Sequence, residues 1–427
     1  MNRELDVLID QNRIGRLFEN TGIWSFEYEA TWIKNGYPLA PGLPLQEARI
    51  IDSASVRSVQ WFFDNLLPEE MARAKLMATL PKGEWDAWSL LERFGSESAG
   101  ALTLLKPGNS LAAPELLPLS NEHLQARIDA MPRTPLGASA PKKMSLAGAQ
   151  EKLPVVMDSK GNLFDPIGSQ ISTHILKPDV LNEHYPQSAV NEWYCARVAQ
   201  ELKLPVPLVC LKYVPSCVYL IERFDRQKEN DILRRLHTLD AAQLLNFAAG
   251  SKYTKSGVDA LKDIIGLCRA KAQTRIALFR WTTFNILIGN GDAHLKNLSL
   301  FVSQKGYSLA PHYDLVSTVS WARPELVGPN EPQWPNIELS FPIGGAGKFG
   351  EIRCEHLFKF ADEIGLPRTS ASRELSRLIE NIEGAADKVM NEFEKLTVPD
   401  NIKAGQLRML RAIRHLPISA MKKQLAC

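Results

Sequence analysis

The sequence predicts an α+β protein: a small amino-terminal α+β module, then a strand-rich lobe and a mostly helical lobe. Three observations predict it. Short alternating apolar runs recur before residue 236, helical periodicity dominates after it, and a stretch rich in Pro, Ala and Ser separates the module from the lobes.

Residues 1–105 form the module. "LDVLIDQNRIGRLFE" reads as two short strands about an Asp-Gln-Asn turn, "WSFEYEATWI" as an alternating strand, and "NLLPEEMARAKLMATL" as a helix. Residues 106–141 read as a linker with one short helix, Asn121 to Met131. Residues 142–228 form the strand-rich lobe, with "KLPVVMD", "THILKPD", "LVCLKYV" and "VYLIERFD" as strands and "SAVNEWYCARVAQELK" as an amphipathic helix. Residues 229–427 form the helical lobe, interrupted by a hairpin near 298–310.

A 427-residue chain with 45% hydrophobic residues and a net charge of +2 has ample material for a core and no charge bias that names a partner. The start "MNRELDVLIDQNR" is too polar for a secretory signal, and no apolar run approaches the roughly 20 residues that span a bilayer. A cytoplasmic protein without a membrane partner is expected. The six cysteines form no C-x-x-C pair, so reduced thiols are expected rather than a disulfide framework or a zinc ribbon.

Chemistry concentrates in "GNGDAHLKNLSL", where an apolar run breaks into Asp292, His294 and Asn297. A second carboxylate, Asp314, lies beyond the hairpin in "PHYDLVST". Asp-x-x-x-x-Asn with a later Asp is the pattern by which a kinase takes up a hydroxyl proton and holds divalent cations through oxygen ligands. Charge interrupting an apolar run is costly unless it has a task. Taken alone, however, the spacing also suits an Asp-capped turn with an Asn bonding backbone. Upstream, the small-residue turn of "SLAGAQEK" can offer backbone N–H groups to phosphate or serve as a plain lead-in to a strand. Lys177, ending the strand "THILKPD", either reaches phosphates with Glu192 as its helical partner or snorkels to solvent.

In this order, "SLAGAQEK", "THILKPD", "NEWYCARVA", "ERFDR", "GNGDAHLKNLSL" and "PHYDLVS" resemble the HipA family, the serine/threonine kinase toxins of bacterial type II toxin-antitoxin modules. The resemblance covers nearly the whole chain. It implies a bilobal, protein-kinase-like fold, ATP and Mg2+ as cofactors, a HipB-type helix-turn-helix antitoxin as partner, and operator DNA bound by the joint complex. It also implies a protein substrate in the translation apparatus, notably an aminoacyl-tRNA synthetase.

Position by position, the resemblance makes Asp292 the catalytic aspartate and Asn297 and Asp314 the metal ligands. Ala147, Gly148, Ala149, Gln150, Glu151 and Lys152 match the phosphate loop, Lys177 the phosphate-contacting lysine, and Glu222, Arg223 and Phe224 the adenine hinge. His294, Tyr313 and Asp314 join the nucleotide contacts, and Ser145 matches the autophosphorylated serine. A phosphate there would add about −1.5 to −2 charge beside a loop meant for ATP.

Two stretches carry weaker signals. The basic residues Lys403, Arg408, Arg411, Arg414, Lys422 and Lys423 either touch DNA phosphates or form a solvated helix face. "WARPELVGPNEPQWPNIELSFPIGGAGKFG" is too rich in Pro and Gly for a regular element, and is either a substrate-facing loop or a passive excursion. Two other functions stay open: a corepressor in which kinase chemistry is secondary, and a small-molecule kinase.

Overall fold

The computed structural model describes residues 3–142, 146–230, 232–322 and 334–426. The fold is α+β and divides into two compact units. The first unit comprises Met1–Lys177, Glu222–Lys252 and Ser299–Ala310; the second comprises Pro178–Ile221, Tyr253–Leu298 and Pro311–Cys427.

The first unit begins with an antiparallel sheet in which Arg3–Ile9, Asn12–Asn20 and Ile23–Tyr28 succeed one another. Asp10 and Thr21, at positive φ, make the two turns. Leu102–Leu105 pairs back onto the first strand. Leu5, Val7, Ile14, Leu17 and Phe26 are buried, and Trp24 meets Trp88 edge-on at 5.2 Å. The expected strand "WSFEYEATWI" is strand only to Tyr28, because Ala30–Asn35 turns helical. The expected helix "NLLPEEMARAKLMATL" is helical only from Glu70 to Met77, since Glu70 takes φ +50 beyond Pro68.

The Pro-rich stretch carries the helix Asn121–Ala130 and also a strand, Glu115–Pro118, which pairs with Leu163–Ile167. That strand pairs with Leu153–Met157, which pairs in turn with His174–Pro178. Thr238–Asp240 completes a three-stranded sheet with the expected hairpin, Ser299–Ser303 and Gly306–Leu309.

The second unit is mainly helical, with Ser188–Glu201, Lys271–Ile288 and Arg368–Glu394 among its helices. Phenols tie it internally: Tyr194 donates to the Ala386 carbonyl at 3.0 Å and Tyr213 to Gln406 at 2.9 Å. The Pro- and Gly-rich stretch, expected to be irregular, contains the paired strands Glu338–Ile343 and Ala346–Lys348, while residues 323–333 lie outside the described residues. Arg414 is held by Asp387 at 2.6 Å and Glu383 at 3.0 Å, and Lys422 by Glu383 at 2.7 Å. Two of the six basic candidates for DNA contact are therefore paired within the chain.

Cys195, Cys210, Cys217 and Cys268 are free thiols, as expected, but Cys354 is disulfide-bonded, against the expectation of reduced cysteines throughout. Among the described residues, no helix is long and apolar enough to cross a membrane.

Candidate active site

In the second unit, the helix Lys271–Ile288 is buried along its last eight residues and stops at Gly289, which takes φ +70. A Cβ there would meet Val319 at 2.9 Å and Pro417 at 3.0 Å, so glycine is needed both for the left-handed turn and for the close approach. The chain then enters Asn290-Gly291-Asp292 with its direction set.

Asn290 organises this segment. Its Oδ1 accepts from the Asp292 amide at 3.1 Å, and its Nδ2 donates to Asn285 Oδ1 at 2.8 Å and to the Asp314 carbonyl at 3.3 Å. One buried amide thus spans the backbones of the two predicted acidic residues, which lie 22 positions apart in the chain. Beyond Asp292, the 3-10 turn Leu295–Asn297 folds Asn297 back so that its Nδ2 donates to the Asp292 carbonyl at 2.8 Å. That accounts for the four-residue gap: it is the span of one tight turn. Tyr313 donates its hydroxyl to the Lys296 carbonyl at 2.7 Å, which ties the two segments again. Asp314 stands at φ +51, an uncommon conformation for an L residue that the surrounding bonds must hold.

The Asp292 side chain is about half open, at 51% exposure, whereas His294, Asn297 and Asn290 are buried. Its Oδ1 accepts a hydrogen bond from the Tyr253 phenol at 2.6 Å, and His294 Nε2 lies 4.0 Å from the same oxygen. The Tyr253 ring meets the His294 ring edge-on at 5.0 Å. With its amide nitrogen engaged on a carbonyl, Asn297 can present its amide oxygen to a cation, as Asp314 can its carboxylate. Hard oxygen donors of this kind suit Mg2+, which keeps several waters and shares ligands with phosphates. Among the described residues no cluster of three His, Cys, Asp or Glu side chains forms an all-protein cage.

The remaining predicted site residues belong to the first unit. Gly148, at φ +108, carries a turn into the strand Leu153–Met157, and a Cβ on it would meet Lys152 Nζ at 2.7 Å. Lys152 donates to the Ala147 carbonyl and closes the loop on itself. Residues 147, 148, 150, 151 and 152 are half-buried and Ala149 is exposed. The loop is also held from outside. Its Gly148 carbonyl accepts from the Glu69 amide at 3.2 Å, and its Glu151 pairs with Lys75 at 3.1 Å while accepting from the Leu136 amide at 3.1 Å.

Because Leu153 stands opposite Leu176, the loop's exit and Lys177 share one end of a strand pair. Lys177 is buried there, and Glu192 is buried on the helix Ser188–Glu201 of the second unit. Ser145 lies outside the described residues.

At the predicted hinge, Glu222 is exposed, Phe224 meets Phe301 edge-on at 6.0 Å, and Arg223 is buried. The Arg223 amide donates to the Thr173 carbonyl at 2.9 Å, and its guanidinium binds Asp225 at 2.7 Å and Glu97 at 3.3 Å. The Arg223 side chain is thus spent on the protein itself. Sequence reasoning missed Asn290, which sat unassigned in the quoted motif, and Tyr253, which lies 39 positions before Asp292 with no pattern to connect them.

Comparisons with known proteins agree in direction. Residues 5–105 match the HipA N-terminal domain and residues 144–388 the HipA-like C-terminal domain. A protein of Sinorhizobium fredii is 30% identical over 412 residues, covering 93% of this chain and 94% of its own. The serine/threonine-protein kinase toxin HipA of Shewanella oneidensis is 29% identical over 410 residues, covering 90% and 89%. A solved complex of Shewanella oneidensis HipA with HipB and operator DNA superposes with a TM-score of 0.78 at 25% identity, over 98% of this chain and 97% of that one.

Proposed function

Since this chain belongs to the HipA family and is a serine/threonine-protein kinase, we propose that it transfers the γ-phosphoryl group of ATP to a protein hydroxyl with Asp292 as the proton acceptor. The observation that carries this reading is the Asn290 bridge between Asp292 and Asp314, which, with the Asn297 bond to the Asp292 carbonyl, brings the three residues together while the Asp292 carboxylate stays half exposed. In the step, the acceptor oxygen bonds to the γ-phosphorus as its bond to the β-bridging oxygen breaks. The hydroxyl proton passes to Asp292 and ADP leaves.

Asn297 and Asp314 would hold Mg2+, whose charge, when bound, offsets that of the phosphates. The loop Ala147–Lys152 and Lys177 would bind phosphate oxygens, and the backbone of Glu222–Phe224 the adenine. His294 and Tyr313 would line the nucleotide. Domain assignments accord with the same reading: a module at 1–105, a linker at 106–141, and kinase lobes at 142–228 and 229–427. The reading also implies autophosphorylation at Ser145, action in the cytoplasm, and a protein substrate such as an aminoacyl-tRNA synthetase.

A second role as corepressor with a HipB-type antitoxin on operator DNA is supported by the complex formed by the Shewanella protein. The kinase reading is tested by incubating the purified protein with γ-labelled ATP and Mg2+ beside Asp292→Asn. Label on Ser145 that vanishes in the variant is expected. No label on protein shown by mass to begin unphosphorylated would sink the kinase assignment of these residues and leave the corepressor role.

A further inference from the structure

We propose that Tyr253 is a specificity-determining residue of the transfer reaction: its phenol holds the place on Asp292 that an acceptor hydroxyl needs, and an acceptor must displace it. This rests on Asp292 being the proton acceptor. The phenol donates to Asp292 Oδ1 at 2.6 Å, the contact that a serine or threonine hydroxyl would make before giving up its proton. A neutral O–H on a carboxylate at that distance is a strong, charge-assisted bond.

The placement does not hang on one side-chain rotamer. Ser256 accepts through Oγ from the Leu295 amide at 3.1 Å, and the Ser256 amide bonds the Tyr253 carbonyl at 3.0 Å. The segment 253–256 therefore forms a turn docked on the Asp292–Asn297 turn at two points, one backbone and one carboxylate. The Tyr253 ring is braced edge-on against His294.

Exposure separates this tyrosine from the unit's other hydrogen-bonded phenols. Tyr194 is wholly buried and Tyr213 and Tyr313 are half-buried, whereas Tyr253 is 46% exposed, so its ring can leave by side-chain rotation without opening the core. A contact that is strong, aimed at the proton acceptor and carried by a half-exposed ring suits a placeholder. Water, which makes few contacts, is a poor competitor for the site; a protein hydroxyl carried by a docked segment is a good one. The phenol thus lowers futile ATP hydrolysis and favours acceptors whose flanking residues bind well enough to displace it.

The test uses the full chain with ATP and Mg2+ and no added acceptor, so that water is the acceptor. Its oxygen bonds to the γ-phosphorus, its proton passes to Asp292 and ADP leaves. Tyr253→Phe keeps the ring on His294 and removes only the hydroxyl. It is expected to raise kcat for hydrolysis about three- to tenfold, with KM for ATP unchanged, and the gain should vanish in the Asp292→Asn background. A fall in kcat would overturn the proposal by making the phenol an aid to Asp292, and an unchanged kcat would overturn it by making the contact idle. If Asp292→Asn alone left hydrolysis intact, the fault would lie with Asp292 as proton acceptor.

Discussion

The carboxylates of Glu97, in the first unit, and Asp292, in the second, are treated in opposite ways. Glu97 is fully enclosed, with Lys142 at 2.6 Å, Arg226 and Arg235 at 3.0 Å and Arg223 at 3.3 Å, and it accepts from the Ser172 hydroxyl at 2.8 Å. Burial alone would push its pKa up, but the charges of Arg235, Lys142, Arg226 and Arg223 pull it far below the usual carboxylate range. Asp292 stands half open and meets a phenol that can leave. The first arrangement has no room for a ligand and fastens 97, 142, 172 and the predicted hinge to one another. The second leaves the carboxylate half exposed with a single exposed phenol on one oxygen, an arrangement that suits a proton acceptor. Charge density in a sequence therefore says little until burial is known.

The largest expected effect breaks the comparison at its open end. Asp292→Asn should lower phosphoryl transfer by about 10²- to 10⁴-fold, the usual worth of a positioned base, and leave the urea midpoint of unfolding unchanged. A midpoint shift comparable to that of a core substitution would class Asp292 with Glu97. Glu97→Gln probes the closed end. It leaves four buried cations, of which Arg223 and Arg226 retain Asp225, and loss of one member of a buried pair costs about 3–5 kcal/mol, read as a fall in the urea midpoint. Adding Arg235→Met should recover part of it. If Glu97→Gln were as stable as the parent, the enclosure would contribute nothing.

The two carboxylates also differ in how legible they were. Asp292 and Asn297 could be paired from sequence because a single turn fixes both, and local chemistry leaves a local pattern. Glu97 could not be paired, because its partners lie 45 to 138 positions away and no short-range rule links them. The same divide holds for the fold. The hairpin at 299–309 was visible from alternation, whereas Glu338–Ile343 was hidden because Pro and Gly mask a strand that its partner stabilises. Pro68 and Glu69 broke an expected helix because that segment is bonded to Gly148 in the predicted phosphate loop, a long-range tie.

A smaller effect comes from histidines that, like Glu97, are enclosed. Burial pushes the His237 pKa down to about 4 in the first unit, against a hydrogen bond with the Leu39 carbonyl. In the second unit burial, aided by Arg280, pushes His312 down to about 3. Above about pH 6.5, the ordinary imidazole value, both are neutral folded or unfolded and stability does not depend on them. Below it the unfolded chain binds protons that the folded chain refuses. Stability therefore falls as pH drops from about 6.5 toward the folded values, by about 3 kcal/mol for His237 alone. The Glu97 contribution begins to fade only lower, as pH falls through the ordinary carboxylate range and beyond. Urea midpoints measured from pH 8 to 4 should be flat at first and then decline, and His237→Gln should flatten part of the decline. A decline beginning only below pH 4.5 would assign the acid sensitivity to carboxylates instead.

The smallest expected effect lies between enclosure and openness, at the predicted phosphate loop. Glu151 is 17% exposed and Lys75 28%, and their 3.1 Å pair joins the loop to the helix Glu70–Met77 of the amino-terminal module. Partly exposed pairs contribute up to about 1 kcal/mol, and this one shares its load with the Glu69 amide on Gly148 and the Leu136 amide on Glu151. Lys75→Met keeps most of the side-chain volume and removes the charge. If the docked loop is the one that receives ATP phosphates, KM for ATP should rise about two- to fivefold with kcat unchanged, because only the binding-competent fraction falls. Lys75→Arg should restore the parent value. A change in kcat at constant KM would mean that the pair acts on the transfer step, and the loop would then belong with Asp292 rather than between the two carboxylates.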